Sequence, residues 1–139
     1  MNAHRFQRYR PWFLAAAIYN LCWGVIVVAL PALFLDLLRI ERPSVIALWQ
    51  VVGMMVLVFA PAYWWASRDP WAHRHLILIG TVGKFLGVLG FLVATSLGQL
   101  PWTFGVLVLF NDIVWLPAFA LFVAEVGRTT GWTRLLSGD

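Results

Sequence analysis

Two ionisable residues sit where charge is costly: Lys84 in the run GTVGKFLGVLG and Asp112 in VLFNDIVWLP, each deep inside a long apolar stretch. A charged side chain at a bilayer centre costs about 3 kcal/mol on insertion scales, so such residues pair and often carry function. A lysine and an aspartate at one depth offer three chemistries. They can lock two helices as an ion pair, form a proton or cation site, or act as a coupled acid and base that anchors a polar ligand head. Asn20, Asn111 and Gln50, also within apolar stretches, add hydrogen-bond donors and acceptors to the same set.

Whether these side chains meet depends on the elements that carry them. The chain has 139 residues, of which 62% are hydrophobic and 12% charged, with a mean hydropathy of +0.82. Four continuous apolar segments cover residues 12–30, 45–65, 76–97 and 102–124, each near the roughly 20 residues that cross a hydrocarbon core as a helix. They predict an all-α integral membrane four-helix bundle, a single domain over residues 1–139. Period-two alternation is missing, which argues against a transmembrane barrel.

The formal charge of +4 and the pI near 10.0 mark topology rather than a nucleic-acid partner. Arg5, Arg8 and Arg10 precede the first span, Arg68 and Arg74 lie in the second loop, and Arg128 and Arg134 follow the last span; the first loop has only Arg39 and Arg42. By the positive-inside rule both termini are cytoplasmic, in a bacterial inner membrane, with the lipid bilayer as the principal partner. Asn20 interrupts what would be the apolar region of a signal peptide, so the first span is expected to be retained.

Smaller features follow. MNAHRFQRYR reads as a juxtamembrane anchor on anionic headgroups. Pro31 ends the first helix, Asp36 and Arg39 lie three apart after it, and Pro43 with Ser44 suits the start of the second span. Tyr63, Trp64 and Trp65 read as an aromatic belt, and Cys22 as a small buried residue.

Counting at about 1.5 Å per residue puts Lys84 and Asp112 within roughly 5 Å along the membrane normal, a gap that a lysine side chain bridges. Gly80, Gly83, Gly87 and Gly90 form a stripe beside Lys84 that turns it toward a close-packed neighbour. Asn20, flanked by Ala16 and Gly24, lies at the centre of the first span. The expected cluster is Asn20, Lys84, Asn111 and Asp112, with Gln50 nearer the outer side. Trp23, Trp49 and Trp115 lie deep enough either to pack the core or to line a pocket for a flat ligand such as a quinone or a polyprenyl chain.

His73 and His75 have one residue between them and only His4 as a further imidazole, too few ligands for zinc; no metal and no cofactor are expected. The chain carries no nucleotide loop, nucleophile elbow or zinc-protease helix, which disfavours an enzyme of known motif class. The order of features, a first span ending at Pro31, a short amphipathic return, the second-span LWQVVGMMVLVFAP and the Gly-Lys third span, resembles the DoxX-like small four-helix membrane proteins. That resemblance implies a compact four-helix bundle, sometimes working beside a redox partner, and assigns no reaction.

The leading expectation is a small membrane accessory or interaction protein, working with other membrane subunits or as a homo-oligomer. Its bundle holds a lipid- or quinone-like ligand at the Lys84 and Asp112 level. The alternatives are a dimeric proton- or cation-coupled transporter or channel using Asp112, and a membrane-embedded acid/base enzyme acting on an isoprenoid or quinone.

Overall fold

The computed structural model describes residues 3–137, which contain helices and no strand. A 3₁₀ segment, Ala3–Tyr9, leads into α1 (Arg10–Ala29), followed by α2 (Leu33–Leu37), α3 (Ile46–Arg68) and α4 (Arg74–Ser96). The fourth long helical stretch is composite. It joins a 3₁₀ turn, Trp102–Phe104, α5 (Gly105–Val108), a π turn at Leu109–Ile113 and α6 (Leu116–Thr130), before a terminal α7 (Trp132–Ser137).

Four helical stretches are long and apolar enough to cross a membrane: His4–Ala29, Ile46–Arg68, Arg74–Ser96 and Trp102–Thr130. Their outward faces stay apolar, with Leu48, Val58, Phe85, Leu86 and Leu121 exposed, a surface suited to lipid rather than water. Proline and glycine punctuate the chain as their chemistry requires. α1 stops before Pro31, which has no N–H to continue the ladder, and Gly98 takes a positive φ of 70° in the tight turn after α4. α3 begins at Ile46 without a side-chain cap, two residues beyond the expected Pro43–Ser44 start.

The bundle divides into two helix pairs. α1 packs along α3, α4 packs on α6, and contact between α3 and α4 is sparse. Backbones of the first pair approach closely because Gly24 and Gly53 face each other: a Cβ on Gly24 would lie 3.0 Å from the Gly53 carbonyl oxygen, and one on Gly53 would lie 2.7 Å from Val27. At the end of the bundle that carries both termini, Phe6, Tyr9, Phe13, Phe119 and Phe122 form one buried aromatic cluster, with edge-to-face contacts such as Phe13–Phe122 at 5.1 Å.

Several local expectations are corrected here. Phe6 and Tyr9 are buried in that cluster, so the amino-terminal segment packs onto the bundle instead of lying free for headgroups. Arg5 and Arg8 hold it down through Glu125, while Arg10 Nε donates to the Ser67 carbonyl at 2.6 Å. Asp36 pairs with Arg42 rather than Arg39, through two hydrogen bonds of 2.8 and 2.5 Å; Arg39 occupies the left-handed region at φ 53°. Those bonds from Arg42 hold the Asp36 carboxyl below its ordinary pKa. Cys22 is exposed on the outer face of α1, because it lies off the stripe formed by Ala16, Asn20 and Gly24.

Candidate functional site

The π turn at Leu109–Ile113 builds the polar layer. Its first step is a shifted backbone bond: Val114 N–H donates to Leu109 five residues back, at 3.0 Å. The Phe110 carbonyl, whose α-helical donor Val114 would have been, instead accepts from the Trp115 indole Nε1 at 2.8 Å. Trp115 N–H goes to Asp112 at 3.2 Å, three residues back, which releases the Asn111 carbonyl. Pro117, in the first turn of α6, supplies no N–H to restore the regular ladder.

Lys84 on α4 takes the released acceptor. Its Nζ donates to the Asn111 carbonyl at 2.5 Å and lies 3.8 Å from Asp112 Oδ1. The ammonium also faces the rings of Tyr63 and Phe119, with centroids at 5.8 and 5.9 Å, within cation–π range. Both charged residues are buried, Lys84 at 5% and Asp112 at 9% exposure. A lysine at this depth thus has an anion, a carbonyl dipole and two aromatic faces, the partners that make a buried charge tolerable.

Glycine makes the room. A Cβ on Gly87 would lie 2.7 Å from Asp112 Oδ2, and one on Gly80 would collide with the Tyr63 ring. A Cβ on Gly83 or Gly90 would meet nothing within 4 Å, so only alternate members of the stripe pack closely and the expected continuous packing face is corrected.

Gly83 borders two cavities instead. One, of about 260 Å³, is lined by Asn20, Met55, Tyr63, Lys84, Asn111 and Asp112, among others. The other, of about 280 Å³, is lined by Trp23, Trp49, Phe91 and Phe104 and also reaches Asn111 and Asp112. Val52 and Gly83, exposed residues of α3 and α4, border both, so the cavities open sideways where those two helices separate.

The structure therefore brings Asn20, Lys84, Asn111 and Asp112 around one space. The Asn20 amide Nδ2 donates to the Val56 carbonyl at 3.2 Å, and Asn111 Nδ2 donates to Asp112 Oδ1 at 3.3 Å. The remaining oxygen of each amide, Oδ1, is buried without a hydrogen-bond partner.

Gln50 stands apart: its Nε2 donates to the Val28 carbonyl at 2.8 Å and ties α3 to α1. Trp23 and Trp49 line a cavity, whereas Trp115 belongs to the aromatic core and packs on Tyr19 at 5.6 Å. Tyr63, expected in an interfacial belt, is instead buried beside Lys84, because only its neighbours Trp64 and Trp65 turn outward. The pairing of Tyr63 with Gly80 is the signal that a single sequence conceals.

Among the described residues, no group of three or more His, Cys, Asp or Glu side chains is placed to hold a metal ion. The Lys84–Asp112 layer can anchor a polar head, exchange a proton across the pair, or lock α4 to the π turn. No known protein family, curated protein or solved structure matches the chain.

Proposed function

We propose that this chain is a small membrane accessory protein that holds a lipid- or quinone-like ligand, head group at the Lys84–Asp112 layer and apolar part toward the α3–α4 opening. The observation that carries this reading is the sideways-open cavity lined at one level by the buried Lys84–Asp112 pair together with Asn20 and Asn111. Mostly apolar walls with a few convergent polar groups are the usual make-up of a ligand site. A lateral opening suits a molecule that arrives from the bilayer.

The arginine distribution supports termini on the cytoplasmic side of a bacterial inner membrane, and the resemblance to DoxX-like proteins supports work beside a larger redox or membrane assembly. Native mass spectrometry from a mild detergent tests the ligand directly. The expected result is a bound lipid-soluble molecule in the wild type that is lost in Gly83→Leu, whose side chain would fill the cavity. A wild type that retains no such molecule, in spectra and in solvent extracts alike, would overturn the reading.

A second reading has its own observation. The two cavities share Asn111 and Asp112 and extend toward opposite ends of the bundle, the layout of a carrier with Asp112 as its proton or cation site. Four helices enclose little volume, so that carrier would work as a dimer. Proteoliposome flux that disappears in Asp112→Asn would favour it, and flux unchanged by that substitution would exclude it.

A further inference from the structure

Building on the ligand-binding reading, we infer that Tyr63 is a head-group contact: its hydroxyl donates a hydrogen bond to an oxygen of the ligand in the cavity of about 260 Å³. Such a ligand carries at least one acceptor oxygen, as a quinone or an alcohol does.

Tyr63 lies on α3 and is 2% exposed, with its ring held against Phe59 at 5.6 Å and Phe119 at 5.1 Å. Those contacts leave the ring little freedom. Its hydroxyl reaches α4 at Gly80, where a Cβ would stand only 2.4 Å from the oxygen, so the glycine is what admits it. Lys84 follows Gly80 by four residues on the same face of α4, and its ammonium lies 5.8 Å from the Tyr63 ring. All three residues line the cavity.

A buried tyrosine hydroxyl ordinarily finds a partner within the fold. Tyr9 is the ordinary case, accepting from Arg8 at 3.3 Å. The Tyr63 hydroxyl makes no hydrogen bond with any described residue, yet its oxygen is not sealed in as Asn20 Oδ1 and Asn111 Oδ1 are. It opens onto the cavity that the residue lines. A donor kept unpaired at this depth costs stability unless something outside the chain takes it up. Phenylalanine would keep the ring contacts without that cost, so the hydroxyl answers to an occupant rather than to the fold.

Tyr63→Phe tests this, since it removes one oxygen and keeps the ring, with binding read by calorimetric titration of the purified protein in nanodiscs. The probes share a short prenyl chain: a benzoquinone, an alcohol and an oxygen-free prenylbenzene. At least one oxygenated probe should bind the wild type more tightly than prenylbenzene does. Tyr63→Phe should cut that probe's affinity about threefold to tenfold, as one hydrogen bond implies, and leave prenylbenzene where it was. Thermal unfolding of the probe-free variant should match or exceed the wild type, because the lost hydroxyl has no partner in the fold.

An oxygenated-probe affinity unchanged by Tyr63→Phe, or a variant that unfolds earlier than the wild type, would overturn the assignment of Tyr63 and leave the pocket standing. So would oxygenated probes held no better than prenylbenzene. No binding of any probe, by a wild type that is monodisperse and helical, would overturn the pocket together with the inference.

Discussion

The α1–α3 pair and the pair formed by α4 with the π turn and α6 use glycine for opposite ends. In the first, Gly24 and Gly53 face backbone and let two helices close to contact, with Val27 and Leu57 sealing the seam. In the second, Gly87 faces the Asp112 carboxyl and Gly83 faces open space, so the absence of a side chain leaves room instead of closing it. The first pair is a dry clamp. The second pair, with a π turn, a buried ion pair and two bordering cavities, is where the bundle departs from regular packing. A glycine stripe therefore marks either a seam or a site, and what it faces decides which.

The largest test of that contrast removes one charge. Lys84→Met leaves Asp112 buried without its cation and should destabilise the bundle by about 3–5 kcal/mol, whereas Lys84→Met combined with Asp112→Leu should recover most of the loss. Unfolding in mixed micelles reads both. A single variant as stable as the wild type would mean that solvent already reaches the pair.

Next comes the clamp. In Gly24→Leu the new Cβ would stand 2.8 Å from Leu57 Cβ, and the neighbouring Gly53 carbonyl, being backbone, cannot step aside. The expected loss is about 1–3 kcal/mol, with no direct effect on ligand affinity beyond the loss of folded protein. Gly83→Ala should do the reverse, changing stability by no more than about 0.5 kcal/mol while weakening occupancy of both cavities. Equal destabilisation by the two substitutions would erase the distinction between seam and site.

The smallest effect lies outside both pairs, at the loop contact between Asp36 and Arg42. Asp36 is held below its ordinary carboxylate pKa by hydrogen bonds from Arg42, so the contact's contribution is present above that ordinary value and is lost as pH falls through the lowered one. In Arg42→Gln the Asp36 titration should move up toward the ordinary range, which a ¹³C-detected carboxyl titration follows. No movement would mean that the pair does not persist in solution. Thermal unfolding should barely change, since exposed ion pairs contribute little.

The sequence alone determined the four apolar helices and the axial position of each polar residue along them, because helical rise is constant and apolar runs of that length are legible in hydropathy. Counting residues was enough to bring Lys84 and Asp112 to one level, and Asn20 and Asn111 with them. Faces were harder to read. Tyr63, Trp115, Gln50 and Cys22 each point elsewhere than their neighbours in the chain suggest, since rotation about a helix axis is set by what the opposing helix presents.

Only the tertiary structure decided the rest. The π turn follows from a shifted ladder that no residue count reveals, and it is this shift that frees the Asn111 carbonyl for Lys84. The sparse contact between α3 and α4 opens the cavities, and the folding of Phe6 and Tyr9 into the terminal cluster turns a basic leader into part of the core. Position along a helix is a one-dimensional property that the chain encodes residue by residue; facing and spacing are pairwise properties that exist only once helices pack.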